Sequence, residues 1–370
     1  MKIPLSGPDL GEREKELVLE VLESGHLGLG PKAVEFERMM AEYAGTKYAI
    51  SCNSGTSGLH MLVHAMGIKD GDEVITTPFS FVASSNCVLF ERATPVFVDI
   101  DEQTYNIDVT QIEAKITERT KAILPVHVFG QPANMTEIRR LADKYNLKII
   151  EDSCEAIGAK WKGKPAGALG DAGVFAFYPN KQLTTGEGGI VVTDDEELAN
   201  LCFSLRNQGR GEDGLWLSHV RLGWNYRMDE LSAALGIAQM ERVEDILKRR
   251  QAVADMYFEK LRDVPGIILP QSVEDAEVSW FVYVIRFAPE FNRDEIMHTL
   301  SNDGIGCRPY FTPIHLQPFY MEQFGFKEGD FPVTERVAKG TLAIPFFTNM
   351  TEEQVDVVVA KLRAQVQVNV

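Results

Sequence analysis

The segment 177–189, FYPNKQLTTGEGG, sets a lysine among two threonines and three glycines just past an apolar run. Two readings fit it. In one, the glycines supply positive-φ backbone for a turn and Lys181 is solvated. In the other, Lys181 is buried beside a cofactor aldehyde. A lysine amine is nucleophilic only when neutral, and desolvation or a nearby cation favours that form. The residue order does not match GxxxxGK[ST], so the segment is no nucleotide-triphosphate loop.

Three further segments carry residue types that suit a flat, phosphorylated cofactor. In IIEDSCEAIGA (149–159), Asp152 ends an apolar run. It reads either as the cap of a following turn or as a carboxylate at a strand end, where ligands gather in α/β folds. Facing a pyridine nitrogen, such a carboxylate keeps the ring protonated and able to act as an electron sink. In CNSGTSGLHMLV (52–63), a strand gives way to a Ser/Gly/Thr turn and a helix starting near Thr56. That is either a plain cap by Ser54 or Thr56, or a phosphate site at a helix N-terminus. In TTPFSFVAS (76–84), Phe81 is either a core residue or a face for a flat ring. His60, His127 and His298 lie in apolar or helical surroundings and read as structural. No HExxH, GxSxG or Ser/His/Asp arrangement stands out.

These residues need strands and helices to bring them together. Apolar runs occur at 48–52, 73–81, 94–100, 121–129, 147–153, 173–179 and 188–195. Several are apolar on successive residues, which suits strands covered on both faces. Helical patterns lie between them at 56–68, 109–116 and 135–146. The alternation predicts an α/β fold with a mostly parallel central sheet sandwiched by helices. The last two runs lie close in sequence, which leaves room for part of the sheet to be antiparallel. A helical stretch spans about 228–261, ended by Pro265-Gly266. SWFVYVIRF (279–287), a helical 293–304 and a final helix over 352–366 follow. Thr351 with Gln354 fits a capping box for that last helix. We expect two domains, a large one over 1–245 and a smaller C-terminal α+β domain over 246–370.

The chain has 370 residues and a net charge of -17, a poor match for nucleic acid or an anionic membrane surface. Its five cysteines, Cys52, Cys87, Cys154, Cys202 and Cys307, are odd in number and scattered. That argues against a disulfide framework or a zinc site and for a reducing compartment. No window approaches 18 unbroken apolar residues, and the first residues pattern as a short amphipathic helix without a signal core. These features predict a cytoplasmic location.

Taken in order, the segments resemble the DegT/StrS family of sugar aminotransferases, with a likeness to its perosamine-forming, sugar-C4 members. The resemblance runs over essentially the whole chain. It includes SGHLGLGPKAVEFE (24–37), CNSGTSGL, ATPVFVDID (93–101), PVHVFGQPANM (125–135), IIEDSCEAIGA, FYPNKQLTTGEGG, GWNYRMDELSAALGIAQMERV (223–243) and RPYFTPIHLQPFY (308–320). It implies a transferase of fold type I, aspartate aminotransferase-like, that uses pyridoxal 5′-phosphate (PLP) and works as a homodimer with shared active sites. Position by position, it implies Lys181 as the Schiff-base lysine and Asp152 as the partner of the pyridinium. Gly55 and Thr56 would bind the phosphate, Phe81 would stack on the ring, and Glu155 would face the 3-oxygen side. Asn225 would reach the phosphate across the dimer. Arg227 and His315 would serve the substrate. Beyond the resemblance, a substrate pyrophosphate needs cations, and Arg227, Arg308 and Lys32 read either as those cations or as plain surface residues.

Two departures sharpen this. The family often has serine where this chain has Ala176; losing that bond to phosphate would cost about 1.5–3 kcal/mol unless Asn180 or Thr56 compensates. The TTGEGG after Lys181 resembles the group acting at sugar C4, and the lysine itself sets the chain apart from dehydratase relatives with histidine there. The resemblance thus implies amino transfer from glutamate to a 4-keto, 6-deoxy nucleotide sugar for amino-sugar or polysaccharide biosynthesis. The cofactor would alternate between PLP and pyridoxamine 5′-phosphate. Two alternatives carry the same cofactor residues: amination of a 3-keto nucleotide sugar or a cyclitol, and a PLP-binding regulator with little turnover.

Overall fold

The computed structural model describes residues 1–211 and 218–367. Its centre is a seven-stranded sheet. In chain order the strands are β1 (Tyr48–Cys52), β2 (Glu73–Thr76), β3 (Thr94–Phe97), β4 (Thr120–Ile123), β5 (Lys148–Asp152), β6 (Ala172–Ala176) and β7 (Gly189–Thr193). Each falls within or beside one of the seven apolar runs. Across the sheet the order is β1-β7-β6-β5-β4-β2-β3. Strands β3, β2, β4, β5 and β6 run parallel, and β7 is antiparallel to both β6 and β1. The twelve residues between β6 and β7 form a loop without a helix, not the helical crossover that usually joins parallel strands.

Alternate residues point to opposite faces of a strand, and both faces are buried. On one face, Val74, Ala122, Ile150, Val174 and Val191 pack with helices α1 (Gly55–Ala65), α2 (Ala83–Phe90) and α3 (Glu196–Arg206). On the other, Ile190, Val192 and Phe175 pack against Glu12–Ser24, Pro31–Ala44 and Glu230–Met240, while Ile75, Ile123 and Ile149 pack against Met135–Tyr145. This is why the strand sequences are apolar throughout rather than alternating.

The helical stretch expected over 228–261 is two helices, Glu230–Met240 and Val243–Leu261. The chain turns at Glu241-Arg242, where Arg242 (φ -130°) reaches back to Asp9 and Glu14. The second helix runs unbroken through the expected 245/246 boundary. The run at 73–81 is strand only as far as Thr76, and that at 279–287 only from Tyr283. A smaller antiparallel sheet joins Ile267–Ile268, Tyr283–Phe287 and Thr341–Ile344. Its core gathers Tyr257, Ile285, Leu300, Leu342 and Leu362, together with Ile3 from the start of the chain. The expected capping box forms: Gln354 N–H donates to Thr351 Oγ1 (3.3 Å), and Thr351 N–H to Gln354 Oε1 (2.9 Å). All five cysteines are free thiols. Among the described residues, no helix is long and apolar enough to cross a membrane.

Candidate functional site

The C-terminal ends of β1, β2, β5 and β6 open into one cavity of about 650 Å³. Asp152, the last residue of β5, is at its floor and is only 5% exposed. Its Oδ2 accepts from the Ser84 hydroxyl (2.7 Å) and its Oδ1 from the Cys154 N–H (3.2 Å). Among the described residues no lysine, arginine or histidine lies within ion-pair distance of this carboxylate. A buried carboxylate without a cation is costly.

Lys181 comes from the loop between β6 and β7. Its Nζ is 3.6 Å from Glu155 Oε1 and 4.0 Å from the centre of the Phe281 ring. Glu155 is buried and also accepts from the Phe129 N–H (2.9 Å). Burial pushes its carboxyl up, while the Lys181 ammonium pulls the other way. The loop is pinned by Gln182, whose amide donates to the Glu155 carbonyl (2.7 Å) and the Ser279 carbonyl (3.1 Å). Lys181 is therefore neither a solvated turn residue nor a core residue. It is held at the cavity wall.

Helix α1 points its N-terminus at the same cavity. Ser54 caps it, accepting from the Ser57 N–H (3.1 Å). Gly55 and Thr56 line the cavity, and first-turn N–H groups lack intrahelical partners. Gly55 permits a close approach: a Cβ there would fall 2.7 Å from Ala176 Cβ and 2.8 Å from Cys154 Sγ. Gly189 plays the same part at the start of β7, where a Cβ would meet the Ser54 backbone at 2.4 Å. Ala176, Asn180 and Thr56 all line the cavity. Asn180 shares a hydrogen bond with the Tyr310 hydroxyl, while its amide oxygen is buried without a protein partner.

The remaining expected residues divide. Phe81 lines the cavity mouth and is 63% exposed, so it is no core residue; Phe79 fills that role, packed on Tyr105, Phe129 and Phe311. Five others lie off the cavity wall. Asn225 is exposed, its carbonyl accepting from Asn53 (3.4 Å), and Arg227 donates to Asn207 Oδ1 (3.0 Å). Arg308 is exposed and bonds the neighbouring Cys307 carbonyl (2.8 Å). Lys32 pairs with Glu20 (3.0 Å). His315 is fully buried among Phe326 and Phe331, with Nε2 on Glu335 (3.0 Å): the segment lines the cavity at 309–312, then turns at Ile314 into a small aromatic core. His127 is buried on Glu151 (2.8 Å), His60 on Glu91 (2.8 Å), and His298 is on an exposed helix face.

Ser84, Phe281, Tyr310 and Phe311 were not singled out by sequence. Ser84 is four residues past Ser80 within the segment read for Phe81, a helical spacing that could have flagged it. The three aromatics arrive from more than 90 residues beyond Lys181, and no local pattern announces them.

These groups fit PLP. The buried Asp152 needs a cation that a protonated pyridine would supply. A helix N-terminus stands ready for a phosphate. An amine and an unpaired amide oxygen line the cavity between them.

Comparison with known proteins follows this geometry. The model of the DegT/DnrJ/EryC1/StrS aminotransferase family matches residues 8–363. The GDP-perosamine synthase of Caulobacter vibrioides is 39% identical over 365 residues, covering 98% of this chain and 97% of its own. The spore coat polysaccharide biosynthesis protein SpsC of Bacillus subtilis is 39% identical over 374 residues, covering 98% and 96%. A solved PLP-form of a putative sugar aminotransferase from Streptococcus pneumoniae superposes with a TM-score of 0.94 at 28% identity, covering all of both chains.

Proposed function

The chain belongs to the DegT/DnrJ/EryC1/StrS aminotransferase family, and on that premise we propose that it is a PLP-dependent enzyme moving an amino group from glutamate to C4 of a nucleotide-linked 6-deoxy keto-sugar. The observation that carries the cofactor reading is Asp152, a buried carboxylate with no cationic partner among the described residues, in the same cavity as the Lys181 amine. The C4 acceptor rests on the TTGEGG after Lys181 and on likeness to a GDP-perosamine synthase. Amino-sugar or polysaccharide synthesis in the cytoplasm is the setting that suits such a substrate.

When bound, PLP would supply a conjugated ring able to take up the electron pair left when a carbon beside nitrogen loses its proton. The chain supplies the rest. Asp152 would hold a proton on the ring nitrogen. The first turn of α1, with Gly55 and Thr56, binds the phosphate. Phe81 offers an apolar face at the cavity mouth. Lys181 Nζ, once neutral, takes a proton from carbon and returns it to another as general base and acid. Glu155 and Phe281 restrict where that nitrogen can go. Fixing base and substrate together is worth up to roughly 7–11 kcal/mol in well-oriented systems.

Among the described residues lining the cavity, Lys181 is the one cation. A pyrophosphate therefore needs help from elsewhere. We propose a homodimer in which Asn225 and Arg227, which lie off their own chain's cavity, serve the cavity of a second copy.

The test mixes PLP-loaded protein with glutamate and follows conversion to pyridoxamine 5′-phosphate by absorbance, then offers 4-keto and 3-keto nucleotide sugars. Conversion followed by recovery with the 4-keto sugar is expected. No conversion with any amino donor would sink the reading, and recovery with a 3-keto sugar alone would move the acceptor to C3.

A further inference from the structure

The hydroxyl of Ser84 is hidden behind the cavity wall. Ser84 is 1% exposed and does not line the cavity, yet its Oγ lies 2.7 Å from Asp152 Oδ2. A serine hydroxyl has one proton. Two other acceptors are within its reach, the Phe81 carbonyl at 3.1 Å and the Ser80 hydroxyl, both neutral. A hydrogen bond to a charged acceptor is shorter and roughly twice as strong as one between neutral groups, so the proton goes to Asp152. Ser84 Oγ then has only lone pairs to offer the next group, and Ser80 Oγ is 2.6 Å away. The direction is fixed: Ser80 donates to Ser84, and Ser84 donates to Asp152.

Ser80 lines the cavity and is 4% exposed. The two hydroxyls thus form a short relay from the cavity wall to the back of the carboxylate, Ser80 in the bend before α2 and Ser84 in its first turn. The titratable groups around Asp152 are Glu155, Lys181, Cys87 and Cys154. Both thiols are pushed far above neutrality by burial, so they stay protonated.

We propose that Ser84, backed by Ser80, is a positioning residue that tunes how fully Asp152 keeps the cofactor's ring nitrogen protonated. The proposal rests on the PLP reading above. Removing the Ser84 proton removes a charge-assisted hydrogen bond from the carboxylate. The ion pair between carboxylate and ring weakens relative to the neutral pair. Less positive charge remains in the ring, and a proton titrating elsewhere on the bound cofactor is held more tightly. With the Cys154 N–H on Oδ1, the relay on Oδ2 leaves each carboxylate oxygen one lone pair for the ring.

The experiment compares Ser84→Ala, Ser84→Thr and Ser80→Ala with the wild type by two readouts besides turnover: PLP dissociation constant, and the pH midpoint of the absorbance of PLP-loaded protein. We expect Ser84→Ala to raise the midpoint by roughly one pH unit and to weaken PLP binding roughly tenfold. Ser84→Thr, which keeps the hydroxyl, should restore both. Ser80→Ala should move the midpoint the same way by less. Circular dichroism and melting temperature identify folded variants. A folded Ser84→Ala with an unmoved midpoint overturns the relay while leaving the PLP reading intact. So does a Ser84→Ala shift that Ser84→Thr fails to reverse. Wild-type protein that takes up no PLP overturns both.

Discussion

The Lys181 ammonium stands over the face of Phe281, 4.0 Å from the ring centre. The two residues are 100 positions apart. A cation over an aromatic face gains about 0.5–2 kcal/mol, more as water is excluded, and Lys181 is largely covered. Phe281 therefore narrows the positions its amine can take. Phe281→Leu, which keeps most of the volume, should slow the glutamate half-reaction by roughly tenfold with little change in PLP affinity. Stopped-flow absorbance of the loaded protein measures this. Equal rates would show that Glu155 alone sets the amine.

Arg250 holds Phe281 in place. It is 2% exposed and donates to the Trp280 carbonyl (2.8 Å), the Phe281 carbonyl (2.6 Å) and Thr348 Oγ1 (3.2 Å). No carboxylate pairs with it among the described residues. Arg250→Met keeps the apolar stem but leaves two buried carbonyls short of donors. We expect a loss of about 2–4 kcal/mol in stability, read from urea denaturation. The half-reaction should slow as in Phe281→Leu, because the strand entry carrying that ring relaxes.

Contact between Gly55 and Ala176 sets the phosphate end. Ala176→Ser places a hydroxyl at the cavity wall beside Thr56 and should tighten PLP binding roughly tenfold. Gly55→Ala acts oppositely. Its Cβ would sit 2.7 Å from Ala176 Cβ and 2.8 Å from Cys154 Sγ, closer than carbon allows. Either the turn or β6 must move, at about 1–3 kcal/mol, and PLP affinity should fall. Equilibrium dialysis with fluorescence detection distinguishes the two signs.

The sheet was legible because each strand is short, apolar and bounded by polar turns; all seven runs became strands. The break at Arg242 was not, since apolar spacing continues across it and the cause is a pair of carboxylates, Asp9 and Glu14, more than 220 residues earlier. That Lys181 and Asp152 lie at one cavity was legible because Asp152 ends a strand and Lys181 follows one. Their partners were not: Ser84 acts through a contact 68 residues away and Phe281 through one at 100, and neither leaves a periodic trace. His315 shows the opposite failure. The family resemblance implied a substrate role for it, yet Phe331 and Phe326 enclose it.

That enclosure gives His315 a consequence for stability. Its Nε2 bonds Glu335, but its Nδ1 is buried with no partner. A neutral ring, protonated on Nε2 alone, satisfies this site. A second proton on Nδ1 would be buried without an acceptor, so burial lowers the His315 pKa although Glu335 pulls the other way. His60 shifts the same way for the same leading reason. In the unfolded chain both titrate near 6.5. Below that pH the unfolded chain binds protons that the folded chain refuses. The stability these two groups contribute is therefore fully present above about pH 6.5 and is lost as pH falls below it towards their lowered folded values. His315→Gln keeps a donor for Glu335 and removes the titration. Its melting temperature should fall less between pH 7 and pH 5 than that of the wild type. A variant with the same acid slope would assign the loss to other groups.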